Sequence, residues 1–467
     1  GGNGGDAVLT GDVKFAGLTI SSGDSINLNG KRAQFTGTLT GAGELLCGTD
    51  GFIETSGLIN FDNIGTWTGN CNIITTTSQN HYLKPSSVAA HNLTNLFIRN
   101  GANAQRWQEN FVQSLIVGGG TNSFGDPPPT TGPIENITVA NGGELSCGDR
   151  NIHLDGDFTM SGGLLGPSCL SLDRDNTEYA RSVEHADFDL PASRNAMTVE
   201  MWFKTGYTGS NHQHMMNLKD NDGSPQVMQM YIDHSTGKIN TRIFTSGTTS
   251  SLIGASDVRD NKWHHVANVY DGDTGEHSLY VDGKLEATET GTGGIYLATN
   301  CEFNIGVRYS LDQGYFEGEI DEVRMFAAAK TEEQIRADMF KPEGTNLTHF
   351  NSQATSGSDG LVGRWHCNDG QGSTLTCSNT NLNMTIKDHA AGPAAYDDAW
   401  ADASSLFSAS SSTITMAGGT QTIAYTHQDG DFHSLTINAG STTQLLSVGQ
   451  SGLNALQDIN ENLTVNG

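Results

Sequence analysis

The sequence predicts an all-β chain in which a stretch of antiparallel strands sits between stretches of short, repeated, Gly/Asn/Thr-rich strands. Three observations carry this. Gly is 58 of 467 residues while charged residues are only 16%, a turn-rich composition that charge repulsion does not hold disordered. Residues 261–287 place two aromatic and β-branched runs, 263–270 and 279–281, among turn residues at 271–275 and at Asp282-Gly283. Asp-Gly between strand-like runs marks a two-residue turn with positive φ at both positions, so three antiparallel strands are predicted here. The third observation is a Thr-centred strand pattern that occurs on both sides of this stretch.

That pattern begins at Leu18-Thr19-Ile20-Ser21-Ser22-Gly23, recurs at Ile137-Thr138-Val139-Ala140-Asn141-Gly142, and returns at Leu435-Thr436-Ile437-Asn438-Ala439-Gly440. Each copy is followed about 20 to 28 residues later by a second such strand, containing Leu39-Thr40, Phe158-Thr159 and Leu463-Thr464 respectively, a spacing in the range of solenoid rungs. Gly43-Glu44-Leu45-Leu46-Cys47-Gly48 and Gly143-Glu144-Leu145-Ser146-Cys147-Gly148 repeat a segment nearly letter for letter. A rung cannot bury its apolar strand alone and must stack on neighbours. The expected organisation is therefore a β-solenoid-like (β-helix-like) region over 1–167, an inserted domain over 168–402, and a continuation of the solenoid over 403–467. Three independent β-domains are the alternative. Triple proline at Pro127-Pro128-Pro129 forbids a central strand there. One helix is predicted over 332–340: Thr331 with Gln334 forms a capping box, and Ile335 and Met339 share a face.

Lys plus Arg number 24 against 52 Asp plus Glu, a net charge of −28. That balance argues against nucleic-acid partners and against attraction to anionic membranes. No apolar run reaches membrane-spanning length, so no membrane insertion is expected. The chain opens Gly-Gly-Asn-Gly-Gly without Met, as a processed chain would. Seven cysteines show no Cys-x-x-Cys pair of zinc type. Cys367 and Cys377 flank a glycine turn and either bridge it or remain separate reduced residues.

Five motifs in order resemble the laminin-G-like, concanavalin-A-like lectin domains: Met197 to Phe203, Trp263-His264-His265-Val266, Leu279-Tyr280-Val281-Asp282-Gly283-Lys284, Gly318-Glu319-Ile320-Asp321-Glu322-Val323-Arg324, and Leu361-Val362-Gly363-Arg364-Trp365 followed by Asp369-Gly370-Gln371-Gly372-Ser373. The resemblance covers 169–400, roughly half the chain, and implies a two-sheet jelly roll. It further implies a structural calcium ion at Asp321, with Asp173 as its companion. The competing reading has these residues capping turns or pairing with Arg324, and Arg174 stands where that family usually has Gly.

Hydrolases of this fold need Glu-x-Asp-x-Glu, since alternate strand residues share one face. Here Glu319 and Asp321 alternate correctly but the third position holds Val323 or Arg324, so no enzyme of that type is expected. His212-Gln213-His214 and His264-His265 invite a metal reading, yet no spacing supplies a third zinc ligand. The Asp271-Gly272-Asp273-Thr274-Gly275 loop lacks the bidentate Glu of an EF-hand and reads as a turn. Tyr207, Tyr231, Tyr309 and Tyr315 are the candidate ligand-binding residues, against a packing role in core or rim. The expected function is non-enzymatic display of a lectin-like domain by a virion fibre, capsid decoration or cell-surface adhesin, binding glycans or a receptor. Its expected partners are copies of itself, as a trimer, and other virion or surface proteins. The alternative is a secreted carbohydrate-binding or carbohydrate-cleaving protein with its site on the solenoid.

Overall fold

The computed structural model describes residues 5–55, 59–75, 80–82, 92–98, 103–105, 112–117, 120–123, 136–139, 143–146, 152–154, 157–160, 163–166, 168–190, 195–222, 226–245, 249–291, 298–311, 313–341, 347, 360–387, 399–401, 406–408, 413–416, 420–425, 430–437, 442–447 and 459–465. The chain divides into two compact units: residues 1–167 with 402–467, and residues 168–401. Among the described residues it is nearly all β, with one α-helix.

In the first unit the strands pair in parallel. Val13 lies beside Ala33 and Ala33 beside Ile53, steps of one repeat each. The three strand pairs read from the repeats stack in register: Leu18 on Leu39 with Thr19 on Thr40, Ile137 on Phe158 with Thr138 on Thr159, and Leu435 on Leu463 with Thr436 on Thr464. Phe158 and Thr159 also pair with Ile423 and Ala424, so a strand from before the second unit hydrogen-bonds one from after it. Stacking encloses side chains on these strands; Ala33, Phe35, Phe52 and Ile53 are fully buried. Gly41, at φ 132°, lies where a Cβ would stand 2.0 Å from the Ile20 carbonyl oxygen, so only glycine admits this approach. The Pro127-Pro128-Pro129 segment and most of the 143–148 repeat lie outside the described residues or side chains.

The second unit is an antiparallel two-sheet sandwich. One sheet runs Leu170–Leu172, Gly318–Phe326, Ala196–Lys204, Trp263–Asp271, Glu276–Val281, Lys284–Glu289, with Leu361–Trp365 also on Gly318–Phe326. The other runs Thr249–Asp257, Lys238–Phe244, Met228–Ile232, Gln213–Asp220, Cys301–Ile305, Tyr179–Arg181, Met384–Lys387, Thr374–Leu375. Alternate side chains of both sheets, among them Val199, Met201, Met228, Met230, Phe303 and Ile305, form the core. Trp365 closes it, tilted on Phe303 at 5.4 Å and donating from Nε1 to the Leu382 carbonyl at 2.9 Å. The predicted Asp282-Gly283 turn has φ of 52° and 67°, the two positive values its type requires. The helix spans Glu332–Asp338 with both arms of the Thr331–Gln334 capping box formed. Cys169, Cys301, Cys367 and Cys377 are buried free thiols, so Cys367 and Cys377 are separate, while Cys47 is disulfide-bonded.

Candidate functional site: a tyrosine and arginine groove on the sandwich

Period-two alternation sends Met228, Met230 and Ile232 into the core and leaves Gln229 and Tyr231 on the opposite face of the second sheet. Neighbouring strands add to that face. His214 is the cross-strand partner of Tyr231, their rings stacked at 5.0 Å. Arg242 is paired with Gln229, and its guanidinium lies over the Tyr231 ring at 5.4 Å. The loop following Cys301–Ile305 closes one side with Arg308, Tyr309, Gln313 and Tyr315. Gly314 anchors that loop: its carbonyl accepts the His214 N–H at 2.9 Å, its φ is 70°, and a Cβ there would meet His214 Cδ2 at 2.6 Å. The result is a groove of about 470 Å³, within the usual range for small-ligand sites.

His214 is 5% exposed, and its Nδ1 is buried with no hydrogen-bond partner among the described residues. Burial, reinforced by the charges of Arg308, His212 and Arg242, pushes its pKa down to about 3, so the ring is neutral at pH 7. A buried, unpaired ring nitrogen costs about 1–3 kcal/mol until something satisfies it.

Of the four tyrosines singled out from sequence, Tyr231, Tyr309 and Tyr315 meet in this groove. Tyr207 does not. It lines a neighbouring groove of about 690 Å³ with Asp173, Glu178, Glu317 and Glu319, and the Arg174 guanidinium covers its ring at 4.3 Å. Arg174 lines both grooves. Sequence reading named Arg174 and His214 for other roles and missed Arg242 and Arg308, because nothing local marks residues that converge only through strand pairing.

Asp173 and Asp321 are not companions on one ion. The register sets Leu172 opposite Gly318 and Leu170 opposite Ile320, so Asp173 falls beside Glu317, about 13 Å from Asp321 at roughly 3.3 Å per residue. Asp173 Oδ1 accepts the backbone N–H groups of Asp175 and Asn176, and buried Asp321 Oδ1 accepts that of Glu322. The third position of the hydrolase pattern, Val323, is in the core, and Arg324 is held by Glu200 and Glu322.

One histidine pair also separates. His264 is clamped between Asp282 and Asp260 at 3.0 and 3.1 Å, and His265 packs under Trp202. His212 lines the groove with His214, its ring tilted on Tyr231 at 5.1 Å, and its Nδ1 lies 3.4 Å from His234 Nδ1 and 3.5 Å from Asp233 Oδ2 at the hairpin end of the neighbouring strand. Among the described residues this is the one trio of metal-type donors within 4.8 Å of one another. Its edges approximate those of a tetrahedral ion with bonds of about 2.1 Å, although His212 Nδ1 also accepts the His234 backbone N–H at 3.3 Å. Gln213 pairs with Ile232, so the hairpin register, rather than any linear spacing, is the signal that joins His212 to Asp233.

Fold and groove together define a lectin-like sandwich. Residues 176–336 match the family model of the concanavalin A-like lectin/glucanases superfamily. Similar solved structures include a candidate carbohydrate binding protein from Bacteroides ovatus (20% identity, TM-score 0.34, 49% of this chain and 62% of that one). Others are the sialidase CBM40 of Ruminococcus gnavus (18%, 0.27, 31% and 82%) and a heptameric SAP-like pentraxin from Limulus polyphemus (14%, 0.29, 48% and 94%). The chain thus spans under two thirds of the Bacteroides protein, and at these TM-scores none of the likenesses bears on ligand or assembly. No curated protein matches the chain. Among the described residues no helix is long and apolar enough to cross a membrane.

Proposed function

We propose that the 168–401 sandwich binds carbohydrate without turnover and holds it in the groove floored by Tyr231 and His214. One observation carries this reading: three tyrosines, two histidines and a set of side-chain amides line one concavity. Apolar C–H faces of a pyranose stack on Tyr309 and Tyr315, while Gln226, Gln229, Gln313 and Asn211 offer paired donors and acceptors to vicinal hydroxyls. Turnover is left out because Glu319 and Asp321 occupy the nucleophile and helper positions of the hydrolase pattern while Val323 or Arg324 stands at the acid/base position, and both glycosidase geometries need that second catalytic carboxylate.

The test is a glycan array with a parallel assay for released reducing ends. Tyr309→Ala is expected to weaken the best glycan at least about fivefold, roughly 1 kcal/mol, with an unchanged circular dichroism spectrum. Indifference to Tyr309→Ala overturns the groove assignment. Product release by the parent chain that vanishes in Asp321→Asn overturns the non-enzymatic reading. Calcium enters this proposal only as an ion that would fix the Asp173 loop; a chelator arm is expected to leave groove affinity unchanged.

Display is the finer part of the proposal: the flanking parallel strands form a solenoid-like platform that presents the sandwich on a virion or cell surface. Rungs of this kind leave strand edges that assembly covers, and a homotrimer is the proposed form. Light scattering of the full chain at micromolar concentration is expected to give about three times the monomer mass. A monomer sinks the assembly part alone.

A further inference from the structure

The described arginines fall into two sets. Arg32, Arg181, Arg259, Arg324, Arg336 and Arg364 each face a carboxylate within ion-pair distance. Arg174, Arg242 and Arg308 have no carboxylate within ion-pair distance among the described residues, although Arg174 acts on the nearby Glu317, and all three line the Tyr231 groove, whose lining contains no Asp or Glu. In a chain with 52 carboxylates against 24 lysines and arginines, chance placement would pair such residues or scatter them. Here Arg242 and Arg308 converge instead without an ion-pair partner, with Arg174 at the side nearest the acidic neighbouring groove, at a Coulomb cost that an anion would reverse.

Their mounting is also alike. Arg174 lies over Tyr207 at 4.3 Å, Arg242 over Tyr231 at 5.4 Å and Arg308 over Tyr309 at 4.8 Å. A guanidinium held over a ring loses less freedom when it binds a ligand. Arg308 gives Tyr309 Oη one contact at 3.3 Å, and Arg174 Nη1 is buried with no hydrogen-bond partner. Planar forks of this type match carboxylate and sulfate oxygens.

We infer that the groove selects an acidic glycan, one whose pyranose carries a carboxylate or a sulfate, with Arg242 and Arg308 receiving the anionic group and Arg174 closing the side toward Tyr207. This inference rests on the carbohydrate reading above and adds the ligand class. A polyanion such as nucleic acid fits poorly, because the positive field is confined to one groove of a chain with net charge −28.

The experiment titrates the full chain calorimetrically with four probes: an oligogalacturonate, the same oligosaccharide methyl-esterified, a sulfated galactan oligosaccharide, and its desulfated form. At least one acidic probe is expected to bind about tenfold or more tighter than its neutral counterpart, which is roughly 1.4 kcal/mol. That preference is expected to fall with added salt and to disappear in Arg242→Gln and in Arg308→Gln. Lys262→Gln, which removes a positive charge paired with Asp260 outside the groove, is expected to preserve it. The pair that shows the preference tells carboxylate from sulfate. Equal binding of acidic and neutral probes, lost in Tyr309→Ala, overturns the acidic-ligand inference and keeps the sugar groove. An acidic preference that survives both arginine substitutions overturns the assignment to these residues. Binding of none of the four probes, together with an empty glycan array, removes both readings.

Discussion

Arg324→Met is expected to lower the unfolding free energy of the sandwich by about 3–5 kcal/mol, the usual cost of removing one partner from a buried ion pair. Arg324 is 1% exposed on the outer side of the first sheet. Its guanidinium donates to Glu322 Oε2 at 2.8 Å, to Glu200 Oε1 at 3.3 Å, and to the carbonyls of Asp338 and Lys341 at 2.8 and 2.7 Å. Those contacts tie the sheet to the segment containing the Glu332–Asp338 helix. Without them Glu322 retains Arg364 and His366, and Glu200 retains Lys330, but two carbonyls lose a donor and the charges no longer balance. Burial alone would raise the pKa values of Glu200 and Glu322; the surrounding cations, Lys330 foremost for Glu200 and Arg324 foremost for Glu322, outweigh it and hold both carboxyls below their ordinary value. The variant therefore leaves two buried carboxylates less well compensated. Urea unfolding followed by tryptophan fluorescence checks this, since Trp202, Trp263, Trp365 and Trp400 are all buried in the sandwich. A loss under about 1 kcal/mol, the level of an exposed pair, would show that the network is dispensable.

The same residues explain what could be read from the sequence and what could not. Local signals were legible: Asp282-Gly283 specifies its turn through backbone conformation, Thr331 and Gln334 three residues on form a reciprocal capping box, and the Thr-centred strands pair in the register their repeat spacing indicates. Long-range placement was not. A bulge opposite Glu200 and Trp202, with Glu322 at φ 50°, breaks the alternation of the 318–326 strand. Ile320 and Val323 both reach the core as a result, and Glu322 joins the ion network instead of following Asp321 onto a catalytic face. A one-residue bulge leaves no mark in a pattern count. The Asp173 and Asp321 pairing failed for a related reason, since linear order carries no strand offset. Tyrosines could be nominated by residue type, but Arg174, Arg242 and Arg308 come together only through strand pairing, which is a property of the folded surface.

The sandwich is also expected to lose stability as pH falls from about 6.5, well above the carboxylate range. His214, His265 and His277 are 5%, 1% and 0% exposed, and burial pushes their pKa values down to about 3, about 4 and about 3. His277 bridges the two sheets through contacts to Ser250 Oγ, Asn268 Oδ1 and Thr241 Oγ1 at 2.7, 2.8 and 3.1 Å. His265 lies among Glu200, Arg324, Lys330 and Asp282, of which Glu200 and Asp282 favour its charged form and the other two oppose it. An unfolded histidine takes up its proton near pH 6.5. The folded ones stay neutral until pH 3 to 4, so within that window the unfolded state binds more protons and unfolding becomes easier as pH drops. Each histidine contributes a slope of at most about 1.4 kcal/mol per pH unit, or roughly 2–3 kcal/mol by pH 4.5. Glu200 and Glu322 act in a lower window: their depressed values confer stability that is present above the unfolded pKa of about 4.3 and lost only as pH falls through the folded values below it. Urea midpoints for the tryptophan transition, taken between pH 7.5 and pH 5, separate the two groups. The expected slope corresponds to between one and three protons taken up on unfolding, and His277→Gln is expected to reduce it by about one. A flat profile over that range would mean that the unfolded chain, or relaxation of the core, protects these imidazoles equally in both states.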